Sequence, residues 1–139
     1  MIAQNVRRVR EKIADEITLV AVTKGVPVKK IKEAIAAGIT DIGENRIQEA
    51  LVKYNEIRNI KWHMVGHLQS NKAKAAVKIF DLIHSVDSLH FAKELDKQAA
   101  KINKVSNNVA ASNLKRIIVV DDNKKLVGIL TIKDLISNL

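Results

Sequence analysis

The sequence predicts an α/β fold in which a parallel sheet is crossed by helices, and three observations carry that prediction. Short apolar runs rich in β-branched residues alternate with segments of helical period. The connections between them are short. The 139 residues are 47% apolar, enough to bury one ordinary core.

Val6, Val9 and Ile13 recur at helical spacing, so residues 2–14 read as an amphipathic helix. The run Thr18–Val22 reads as a buried strand. Pro27 suits a first helical turn, and Gly38 follows Ile31, Ala34 and Ile35 as a stop. A strand fits Thr40–Gly43, and a helix over about Asn45–Arg58 would put Ile47, Ala50, Leu51 and Tyr54 on one face. Lys61–Val65 reads as a strand, Ser70–Lys78 as a helix and Phe80–Ser85 as a strand. Asp87 or Ser88 is placed to cap a helix containing Leu89, Ala92, Leu95, Ala99 and Ile102. Strand–helix units in succession imply parallel strands with helical crossovers.

Beyond residue 103 the pattern changes. Asn103–Asn113 is small and polar and marks the one plausible domain seam, dividing the chain into 1–103 and 104–139. The runs Ile117–Val120 and Leu126–Leu130, split by the polar residues 121–125, are a β-hairpin signal. A last short helix is expected from Thr131 to Leu139.

Composition excludes several functions. With no cysteine, disulfide scaffolds, thiol catalysis and Cys-ligated zinc are ruled out. No apolar stretch approaches a membrane span and the N-terminus lacks a signal-peptide core, so the expectation is a soluble, cytoplasmic protein that does not engage a membrane. The net charge of +9 raises nucleic acid as a partner. Its carriers are mostly scattered lysines and the aromatics do not interleave with them, which favours solvated faces instead.

In such sheets ligands sit at the carboxyl ends of strands. There stand Thr23 and Lys24; Gly43, Glu44 and Asn45; His63, Gly66, His67, Gln69 and Asn71; and His84, Ser85 and Asp87. Two readings fit them: converging functional groups, or ordinary polar turns. Lys24 follows a buried strand, a partly desolvated start that favours the neutral amine and suits a Schiff base with a carbonyl cofactor. A lysine snorkelling from a strand end is the alternative. His63 and His67 lack a further ligand at metal-binding spacing, so no metal is expected, and His84 and His90 lack a recognisable triad partner.

Ala21–Lys24, Gly43–Asn45, Trp62–Gly66, Leu68–Lys72 and Phe80–Asp87, in that order, resemble the pyridoxal phosphate homeostasis protein family over about residues 1–100. The fold implied is the alanine racemase N-terminal domain, a TIM-type barrel that binds pyridoxal 5′-phosphate (PLP). The resemblance implies a Schiff base at Lys24, Asn45 beside the cofactor, and His63, Gln69, Asn71 and Lys72 in the third-strand motif, with His63 counted among the cofactor-binding residues. It implies a PLP carrier or homeostasis factor rather than a turnover enzyme. A full barrel has eight strand–helix units, typically about 250 residues, and its last loops grip the phosphate. Four units here imply half a barrel and weakened, reversible binding.

Leu114–Leu135 resembles the second half of a CBS domain, a strand, turn and strand ending Gly128–Thr131 and then a helix with Asp134. That resemblance implies adenine-nucleotide contacts at Thr131 and Asp134, against a structural reading as helix cap and first-turn acid. Together the halves suggest a natural fusion or an engineered chimera, one merged or domain-swapped domain, and a homodimer that closes the exposed sheet. Three functions stand: PLP binding, an inactive fragment-built scaffold, and an adenylate-sensing module.

Overall fold

In the computed structural model the chain is described over residues 1–105, 116–120 and 126–131. Its elements run α1 (Ile2–Arg10), β1 (Val20–Val22), α2 (Val28–Ala36), β2 (Asp41–Glu44), α3 (Ile47–Tyr54), β3 (Lys61–Met64), α4 (Ala73–Ile79), β4 (Leu82–Val86), α5 (Leu89–Val105), β5 (Arg116–Val120) and β6 (Leu126–Thr131). The six strands form one sheet in chain order. β1 to β5 pair in parallel, and β6 returns antiparallel on β5. The expected parallel sheet and the hairpin are therefore both present.

Differences from the sequence reading lie at element ends. α1 stops at Arg10, where Lys12 and Ile13 bond back three residues instead of four. α3 ends at Tyr54, and Asn59 then takes a left-handed turn at φ 57°. A 3-10 turn over Ser70–Lys72 precedes α4. Gly38 ends α2 at φ 102°, a conformation that costs glycine little. The Phe91 amide donates to Ser88 Oγ at 3.1 Å, so Ser88 rather than Asp87 caps α5. Thr131 is the last residue of β6, paired with Arg116; the helix expected after it, with Asp134, lies outside the described residues.

Alternation along the strands sorts the sheet into two faces. Ile42, Trp62, Met64 and Ile83 point under the helices, against Ile31 of α2, Ile47 and Ala50 of α3, Val77 of α4 and Leu95 of α5. Phe80, fully buried, joins them from the turn before β4. Val22, paired through Gly43 to His63 and Leu82, belongs to the opposite face and is half exposed. α3 departs from its expected stripe. Leu51 is exposed, and the buried position goes to Lys53. No helix among the described residues is long and apolar enough to cross a membrane.

Candidate functional site

The strand exits are tied to one another in sequence. Thr23 N–H, just past β1, donates to the Gly43 carbonyl at 2.8 Å, and Val65 N–H, just past β3, donates to that of Glu44 at 2.9 Å. Gly66 lies against the Asn45 backbone, and its carbonyl accepts from Ser85 Oγ at 2.7 Å. The polar residues after β1, β2 and β3 and the Ser85 hydroxyl on β4 thus adjoin along one end of the sheet.

Lys24 stands on the first of these exits. It is exposed, so the partial desolvation expected from the preceding strand is not found: β1 is only three residues long, and its neighbour Val22 is itself half exposed. Among the described residues its ammonium has no hydrogen-bond or ion-pair partner. Its backbone, by contrast, is held on both sides. Lys53 Nζ donates to the Thr23 carbonyl at 2.7 Å, and the Gly25 amide donates to Glu49 Oε1 at 2.5 Å. Lys53 also pairs with Glu44 Oε1 at 2.7 Å and Glu49 Oε1 at 2.6 Å, while Thr23 Oγ1 donates to Glu44 Oε1 at 2.6 Å. The hydrogen bond from Lys53, then that from the Gly25 amide, hold the Glu49 carboxyl below its ordinary value. Glu44 is fully buried, and an unpaired ion there would be costly.

Asn45 is half-buried and lines a cavity of 390 Å³ together with Arg46, Gln48, His67, Gln69 and Lys72. His67 therefore opens onto this cavity, away from His63. Among the described residues no three His, Cys, Asp or Glu side chains are grouped to hold a metal ion.

His63 sits inside β3, on the less covered face. Its Nε2 lies 2.7 Å from Asp41 Oδ1 and its Nδ1 lies 2.9 Å from His84 Nε2. Both ring nitrogens are thus occupied within a carboxylate–imidazole–imidazole chain, which borders a 340 Å³ cavity with Val20, Lys61 and Leu82. Burial, and secondarily the charge on His63, push the His84 imidazole below its ordinary value. Sequence spacing hid this chain because its members come from three strands. The register, with His63 beside Gly43 and Leu82, puts each of the three on the same face. The Lys53 cluster was equally hidden, although Glu49 and Lys53 stand four apart as helical ion pairs do.

The family described as "Alanine racemase, N-terminal domain" matches residues 1–121. The chain belongs to that family. Within the alanine racemase N-terminal domain family, it is 44% identical over 111 residues to the pyridoxal phosphate homeostasis protein of Synechocystis sp., covering 78% of this chain and 49% of that protein. It is 38% identical over 112 residues to the protein of the same name from Escherichia coli K12, covering 70% and 48%. PipY of Synechococcus elongatus PCC7942, solved with PLP bound, superposes with a TM-score of 0.70 at 44% identity, covering 73% of this chain and 49% of that one. The chain spans about half the length of these relatives. The family match runs past the seam expected at 103 and includes β5.

Proposed function

We propose that this chain binds PLP through a Schiff base at Lys24, as a carrier or homeostasis factor rather than a turnover enzyme. The observation that carries the reading is the likeness to PipY, a protein solved with PLP bound, together with a family match over residues 1–121, which include Lys24 and Asn45. The local chemistry fits an aldehyde cofactor: an exposed primary amine without a competing partner among the described residues, on a loop whose flanking peptide groups are both held. PLP, when bound, supplies an electrophilic carbonyl. The chain's own residues do the rest. Lys24 offers the amine, Asn45 offers an amide that both donates and accepts at the neighbouring exit, and Glu49 and Lys53 hold the loop.

In this reading β1 to β4 are half of a TIM-type barrel. The half-exposed Val22 and the His63–His84 pair lie on what would be the barrel's interior, so His63 acts by bracing that face through Asp41 and His84. A homodimer would cover the same face. β5 and β6 extend this sheet, and the likeness of that stretch to half a CBS domain, by fusion or chimera, belongs to the same proposal.

The test is absorption spectroscopy of the protein titrated with PLP, wild type beside Lys24→Ala. The expected result is a saturable visible band in the wild type that Lys24→Ala abolishes. No band, or an equal band in the variant, overturns the reading.

A further inference from the structure

We infer that Glu49 and Lys53 of α3 are positioning residues for Lys24, clamping the two peptide groups that flank it so that its amine is presented from one loop conformation. The inference deepens the PLP reading and rests on Lys24 being the anchor.

The geometry is specific to Lys24. The carbonyl before it, on Thr23, accepts from Lys53 Nζ at 2.7 Å, and the amide after it, on Gly25, donates to Glu49 Oε1 at 2.5 Å. These two side chains bond each other at 2.6 Å, so a single ion pair grips the backbone on both sides. Gly25 adopts φ 68°, a left-handed conformation. Glycine reaches it without strain, but glycine is also the freest residue in the chain. An unclamped Thr23–Gly25 loop would sample many conformations, and a nucleophile spread over them is poorly oriented.

The anchor of the clamp is rigid. Lys53 is 6% exposed and pairs with Glu44, which is 0% exposed and accepts in addition from Thr23 Oγ1. The cationic centre therefore cannot move without stranding a buried carboxylate. Glu49 differs, since its carboxyl is partly exposed and only Oε1 is used in these contacts. It can be removed while Lys53 keeps Glu44 and the Thr23 carbonyl. A charged side chain this deep could serve core stability alone, so the test must read Lys24 itself.

The experiment compares the wild type with Glu49→Ala and Glu49→Gln, all retaining Lys53, by two readouts. Amide hydrogen exchange at Gly25 reads the clamp without cofactor. Incubation with PLP, borohydride reduction and peptide mapping read the share of label on Lys24 against the other lysines. In Glu49→Ala, Gly25 exchange is expected to rise about tenfold, as befits a hydrogen bond to a charged group, and the share of label on Lys24 to fall severalfold. Glu49→Gln keeps an acceptor oxygen and is expected to restore both in part. Unchanged Gly25 exchange in Glu49→Ala overturns the clamp. Faster exchange with undiminished labelling of Lys24 overturns the positioning role. A wild type that is not labelled at Lys24, whatever its Gly25 exchange, overturns the PLP reading and the positioning role with it.

Discussion

A β-carbon placed on Gly66 would stand 2.3 Å from the Asn45 carbonyl oxygen and 2.7 Å from the Asn45 Cα. The backbones leaving β2 and β3 are thus in direct contact, and only glycine permits it. Gly66→Ala is expected to destabilise the fold by about 3 kcal/mol, at the upper end for overpacking, because the atoms it meets are backbone. Gly38→Ala meets nothing within 4 Å and carries only the penalty of its φ of 102°, expected at about 1 kcal/mol. Urea unfolding of the two variants separates the effects. Equal losses would show that the Asn45 contact yields easily.

Adenine nucleotides are expected to leave the protein's melting temperature unchanged. β5 lies parallel to β4, with Leu82 beside Arg116 and Ile83 beside Ile117, and it falls inside the family match. Its place is thus accounted for as a continuation of the parallel sheet, without a nucleotide site. A nucleotide present at a hundred times its dissociation constant would add about 2.7 kcal/mol of stability. A gain of that order with AMP or ATP, lost in Asp134→Ala, would contradict this expectation.

The strands and helices up to residue 105 were legible in the sequence because their apolar periods are strong. Ile42, Trp62, Met64 and Ile83 recur at strand spacing and are buried as that spacing demands. What the sequence concealed was polar and long-range. Leu51 reads as a core residue of α3, yet Lys53 holds the buried position, because Glu44, nine residues earlier, supplies a fully buried counter-charge. Burial of a lysine depends on its partner, and a linear pattern of hydropathy does not name partners. The same holds for Asp41, His63 and His84, which meet only through strand register. Lys24 shows the converse. Its place after an apolar strand suggested desolvation, whereas a three-residue strand beside a half-exposed Val22 leaves it in water.

Asp96 on α5 is expected to be a site of stabilisation. Its Oδ1 is buried and has no hydrogen-bond partner among the described residues, and burial raises its carboxyl above the ordinary value of 3.8. The folded state therefore holds the proton more firmly than the unfolded chain. Stability from this group is complete below the unfolded value and is lost as pH rises through the folded one. Asp96→Asn removes the buried charge, so it should melt higher than the wild type at pH 7, with the difference shrinking as pH is lowered toward 3.5. Thermal melts at both values check this, and a difference independent of pH would exclude charge burial as the cause.

The His63–His84 pair makes stability depend on mildly acidic pH. His84 is held below its ordinary value of 6.5, first by burial and then by the charge on His63. Asp41 bonds the far side of His63, and Lys61 and Asp81 border the same cavity. As pH falls below 6.5 the unfolded chain protonates its His84 while the folded one does not, so the unfolded state binds more protons and stability declines. The decline ends once pH passes below the depressed folded value. Above 6.5 both states are neutral at this residue, and the group contributes no slope. His84→Gln keeps an amide that can bond His63 Nδ1 as donor or acceptor but does not titrate. The wild type is therefore expected to lose melting temperature between pH 7.5 and pH 5.5, and His84→Gln to lose distinctly less over the same interval. Parallel losses in the two proteins would assign the acid sensitivity to other groups.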